Sequence, residues 1–186
     1  MIDNPANRGP GTARPARFPP EKIDAVGKAI RERLDRVEAG AGDVGLCGGA
    51  SGGDLLFAEA CLERGMRVEI RLARPEAQFL AESVTFADPE RRWEKSFEKV
   101  RDDKATTTFV MQDELGPAPE GVSVHDRCNR WMLYSALSMG LRRVSFVAVW
   151  NGEPGDGPGG TQHMVELVSR LTGRKAEIID PAKVQA

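Results

Sequence analysis

Two clusters of glycine constrain this chain more than any other feature of its sequence. They lie at residues 40–53 and 152–160. Each follows a short apolar run and precedes a stretch of helical periodicity. Each is therefore read as a strand-to-helix turn, where the backbone bends sharply or comes close to another group. In the first cluster the run Asp43–Cys47 opens directly into the turn Gly48–Gly53. The run before the second, Arg143–Trp150 (RVSFVAVW), is almost continuously apolar and is predicted as the strongest strand.

The rest of the chain keeps the same alternation. Residues 1–20 read as an irregular N-terminal arm, too rich in Pro, Gly, Asn and Arg for helix or strand. Ile23, Val26, Ile30, Leu34 and Val37 then recur at helical spacing up to Gly40. A helix is predicted over Asp54–Arg64 with Gly65 as its C-cap, and a strand over Val68–Leu72. Pro75–Val84 and Pro89–Val100 open with helix-compatible prolines, and Thr106–Met111 is a β-branched strand. Residues 113–124 form a Pro/Gly loop long enough for a lid or rim. His125–Met139 returns to helix, Thr161 is placed to cap a helix through about Leu171, and Ala176–Ile179 is the last strand.

This pattern predicts one α/β domain over residues 21–182, Rossmann-like, with a doubly wound, mainly parallel sheet of about five strands and helices on both faces. The simplest strand order, 3-2-1-4-5, sets the first and fourth strands side by side at the switch point, where such sheets bind ligands. Both glycine turns would then open on one crevice.

A length of 186 residues suits a single core, and a net charge of -2 supplies no global field toward nucleic acid or an anionic membrane. No apolar run approaches a membrane span, and the first twenty or so residues lack the apolar core of a secretory signal. Cys47, Cys61 and Cys128 cannot all pair within the chain, and none stands in a CxxC. The expectation is free thiols in the cytoplasm, with no structural metal and no cofactor.

The chemistry expected of the two turns is anion and ribose binding by backbone N–H groups at helix N-termini. The candidate ligand-binding residues are Gly48, Gly49, Ser51, Gly52, Gly53 and Asp54 in the first turn and Gly159, Gly160 and Thr161 in the second. Asp54 suits either ribose hydroxyls or the helix cap, and Asn151 leaves the strongest strand where a base or ribose would sit. The first turn is neither GxGxxG nor a P-loop, and the second strand ends near Arg71 and Arg74 with no acid at the usual ribose-binding place, which argues against NAD. Gly49-Ala50-Ser51-Gly52-Gly53 also matches G-x-S-x-G, with His163 and Asp156 as the partners a serine nucleophile would need. Trp131, Met132 and Tyr134 suit core packing, base stacking or a dimer face.

Gly48-Gly49, Gly52-Gly53-Asp54 and Gly157-Pro158-Gly159-Gly160-Thr161 resemble the SLOG superfamily, which includes the LOG ("Lonely Guy") proteins once labelled lysine decarboxylases. The resemblance spans roughly residues 43–180 and is similar to an uncharacterised bacterial branch. It implies a Rossmann-like fold, a homodimer, and either sensing of a nucleotide-derived molecule or phosphoribohydrolase cleavage of an N-glycosidic bond. The family's second loop reads PGGxGTxxE. Here the inserted residue and third glycine are missing, and Gln162, His163 and Met164 stand where the acid falls. The resemblance then implies Glu166 as the catalytic carboxylate and Arg127 as its electrostatic partner, with Asn129 and Arg130 closing the pocket. The expected partner is a nucleotide-like small molecule, with no nucleic acid and no membrane. The alternatives are an N-glycosidase acting on nucleoside monophosphates, a serine hydrolase, or an interaction module.

Overall fold

The computed structural model describes residues 19–86, 90–153 and 159–185. Predicted features in the N-terminal arm, at Pro89 and at Asp156, Gly157 and Pro158 lie outside those residues.

A 3-10 turn at Pro20–Lys22 leads into α1 (Ile23–Arg36), whose buried face repeats Ile23, Val26, Ile30 and Leu34. Val37 falls outside that face: Glu38 takes a positive φ of 54°, and the chain turns before Gly40. β1 (Val44–Cys47) passes into α2 (Gly53–Glu63), which buries Leu55, Leu56, Ala58, Ala60 and Cys61 between α1, α4 (Arg92–Arg101) and the sheet. Gly65, at φ 69°, ends that helix as expected. β2 (Arg67–Leu72) is followed by α3 (Glu76–Phe79), which runs on into one π-helical turn, Leu80–Val84. After α4 come β3 (Thr106–Val110), α5 (Met111–Leu115), α6 (Val124–Ser138), β4 (Val147–Val149), α7 (Thr161–Thr172) and β5 (Glu177–Ile179).

Side-chain alternation along β2 divides the helices between two faces. Val68, Ile70 and Leu72 point into the main core with Val26, Ile30, Leu55 and Phe97. Glu69 and Arg71 point the other way, where Arg71 donates to Ser135 of α6. Burying each large apolar side chain of the main core contributes about 1.5–3 kcal/mol. Helices on both faces of parallel strands are thus present.

The single five-stranded sheet is not. β1, β2 and β3 form one parallel sheet and β4 and β5 a second. β4 lies beside the start of α2, where a Cβ on Gly53 would come 3.0 Å from Val149 Cγ2. Yet among the described residues no backbone hydrogen bond joins β1 to β4. The seam is held by side chains: Val147, Val149 and Ile179 pack into the same core as β1 and β2.

Three further expectations are corrected. The strand predicted over Arg143–Trp150 shortens to Val147–Val149, because Leu141–Arg143 coil into a 3-10 turn and the carbonyls of Arg142 and Val144 are taken by Arg174 Nη1 (3.1 and 2.9 Å). The loop predicted from 113 contains the end of α5, which begins as soon as β3 stops. Gly160, in extended conformation, is the N-cap of α7, so Thr161 is already helical and its side chain does not cap. Among the described residues no helix is long and apolar enough to cross a membrane, and no group of three or more metal-ligating side chains is gathered.

Candidate functional site

The first glycine turn is shaped as much by packing as by any demand of a ligand. Gly49 has φ 77°, and a Cβ there would stand 2.8 Å from Ile70 Cγ2. Gly53 is held close by Val149. Ser51 is only 5% exposed, and its N–H donates to Ser83 O (2.9 Å). Gly52, at φ 90°, caps α2 without any side-chain hydrogen bond. Asp54 folds back into the turn: its Oδ2 accepts from Ala50 N–H (3.2 Å) and lies 2.9 Å from where a Gly48 Cβ would be. A carboxylate inside the turn repels phosphate and suits a hydroxyl donor.

Cys128 of α6 stands close enough to Asp54 to feel its charge. Burial pushes its thiol up to about 12, with the Arg71 cation opposing and the Asp54 carboxylate adding to the shift. Burial, and then Asp54, likewise raises Cys47. β1 is in contact with α6, which brings Cys128 to the same side of the sheet, where its Sγ donates to Arg71 O (3.2 Å).

The second turn is clamped to the same half of α6. Gly159 has φ 95°, and a Cβ there would lie 2.8 Å from Asp126 N and 3.1 Å from His125 C. Asn129 Nδ2 donates to Gly159 O (2.9 Å). His163, in the first turn of α7, points its Nδ1 at both Asp126 Oδ1 (3.1 Å) and Gly159 N (3.2 Å). One ring nitrogen cannot serve both. Asp126 Oδ1 is buried and has no other donor. A proton on Nδ1 satisfies it and leaves Nε2 to accept from Arg130 Nη2 at 3.4 Å. The Gly159 N–H is aimed at that same Nδ1 and donates to it in the other tautomer. Arg130 also donates from Nε to Asp126 Oδ2 (2.8 Å), and this hydrogen bond raises the guanidinium above its ordinary pKa.

Beyond Arg130, an open groove of about 490 Å³ runs along α6 between Leu115, Arg127, Trp131 and Tyr134. The remaining predicted residues sit outside this convergence. Arg127 donates to the carbonyls of Gly116 and Leu115, both at 2.8 Å, and so braces the end of α5. Glu166 is exposed on α7 and accepts from Gln162 Nε2 (2.9 Å); no described contact joins it to Arg127. Asn151 is exposed, and its Oδ1 accepts from Glu153 N–H (3.1 Å). No described hydrogen bond joins Ser51 to His163, whose carboxylate partner among the described residues is Asp126.

Asp126 is the residue that sequence reasoning missed. Its neighbours Arg127, Asn129 and Arg130 were singled out, but nothing in one dimension links residue 126 to residue 163. No protein-family model matches the chain, and no curated protein matches it.

Proposed function

We propose that the chain binds a nucleotide-like small molecule in the crevice where α2, α6 and α7 begin, as a ligand-sensing member of the SLOG group. One observation carries this reading. α2 and α7, at 11 and 12 residues, both start on a glycine with no side-chain cap, while α6 is capped by Ser123 Oγ accepting from Asp126 N (3.3 Å). First-turn N–H groups need acceptors, and a ligand's oxygens supply them. Asp54 in the first turn suits ribose hydroxyls. The second turn has no acid in its first helical turn, and the uncapped start of α7 with the nearby Arg130 suits phosphate. A homodimer and a cytoplasmic setting belong to the same reading.

Binding is favoured over N-glycosidic cleavage because the carboxylate and the guanidinium that cleavage would need are engaged elsewhere. Glu166 is bonded to Gln162, and Arg127 to two backbone carbonyls. The test is a thermal-shift screen of nucleoside monophosphates, nucleoside diphosphates and ADP-ribose, with chromatography of each ligand afterwards. A ligand at about a hundred times its dissociation constant adds about 2.7 kcal/mol of stability. The expected result is a shift with the ligand recovered intact, weakened about tenfold in Asp54→Asn. Release of free base moves the reading to the glycosidase. The absence of any shift across the screen overturns it.

A further inference from the structure

At the end of β4 and β5 opposite the glycine turns, cations gather without acids. Arg142 and Arg143 end the 3-10 turn before β4, Arg170 lies in the last turn of α7, and Arg174 and Lys175 precede β5. All five are exposed. The two hydrogen bonds from Arg174 Nη1 to Arg142 O and Val144 O tie these segments into one surface. They leave the Arg174 charge unneutralised, since both acceptors are peptide carbonyls. Among the described residues no carboxylate pairs with any of the five. The neighbouring Glu177 is already shared by Arg33 (3.5 Å) and Arg36 (3.8 Å). The overall charge of -2 conceals this local concentration.

Exposed aliphatic side chains adjoin the cations in the chain. Met139 is 44% exposed, Leu141 49% and Leu171 36%. Arginine and lysine around exposed aliphatics match the boundary of a bilayer, where cations meet lipid phosphates and the aliphatics enter the acyl region. Nucleic acid fits less well, because no aromatic ring stands among these residues to stack a base. An acidic peptide would use the cations but gives the exposed aliphatics no role.

We propose that this patch docks the chain reversibly on an anionic lipid surface. The test is sedimentation of the full chain with phosphatidylcholine vesicles, with and without about one third phosphatidylserine. The expected result is partitioning only onto the anionic vesicles, lost as salt is raised. Arg142→Glu/Lys175→Glu, which leaves the bracing Arg174 in place, lowers partitioning by at least about tenfold. Leu141→Ser lowers it by roughly threefold while keeping the salt dependence. Unchanged melting and circular dichroism show that these surface variants still fold. No partitioning, equal partitioning onto neutral vesicles, or indifference to the charge reversal overturns the proposal. So does binding of a short DNA duplex, or of an acidic polypeptide, that the same variants abolish while vesicles go unbound.

Discussion

Gly159 and Gly173 both have positive φ, 95° and 68°, but their surroundings differ. A methyl group at Gly173 meets nothing within 4 Å, whereas at Gly159 it meets the backbone of His125 and Asp126. Gly173→Ala therefore costs only the backbone strain, about 1–2 kcal/mol. Gly159→Ala adds a clash that backbone cannot relieve, and chemical denaturation should show it as the more damaging by at least about 1 kcal/mol. Arg71 poses a different problem. It is buried between Phe109 and Trp131, 5.2 and 4.4 Å from their ring centroids, and paired with Glu69 at 2.5 Å. Arg71→Met leaves Glu69 without its cation and destabilises by about 3–5 kcal/mol, and adding Glu69→Gln restores part of that loss.

At the scale of elements, α6 carries the site, and its start rests on one hydroxyl. Ser123→Ala removes the bond to Asp126 N and costs about 1 kcal/mol, measurable by denaturation. The same residue shows what could be read in advance. The helix itself was legible from Trp131, Met132, Tyr134, Ala136 and Leu137. Its cap was hidden in a segment read as Pro/Gly loop. α5 was missed because Met111–Leu115 is too short for periodicity to register. The long strand expected before Trp150 failed for a tertiary reason. The side chain of Phe146 packs against α7 beside Leu133 and Met164 while its carbonyl still accepts from Glu177 N–H of β5, but before it Arg174 takes the carbonyls of Arg142 and Val144 that a neighbouring strand would have bonded. The glycine turns were legible as turns. That Gly49, Gly53 and Gly159 answer to Ile70, Val149 and the α6 backbone was not, since those contacts exist only once the strands are side by side.

Across the whole molecule, the three thiols and the seam decide how it opens. Cys61 is pushed up to about 12 by burial, with Arg64 opposing, and Cys128 to about 12 as well. In the unfolded chain a thiol ionises near about 8.5. The folded state thus keeps protons that the unfolded state loses. The stability these thiols contribute is complete below about 8.5 and is lost as pH rises toward about 12. Denaturation midpoints should fall over that range, with a shallower fall in Cys61→Ala/Cys128→Ala. A thiol reagent at neutral pH should label none of the three buried cysteines until the chain unfolds. Hydrogen exchange should rank the two sheets: β2, bonded on both sides, protects its amides most, and β4, bonded only to β5, protects them less.

The side-chain seam between β1 and β4 also sets the mechanical character of the molecule. A continuous ladder resists a pull by loading several hydrogen bonds at once, whereas packed apolar side chains resist only while they touch. Under tension applied across that seam the protein should tear along this perforation first, and the β1-β2-β3 sheet should outlast the piece drawn away from it.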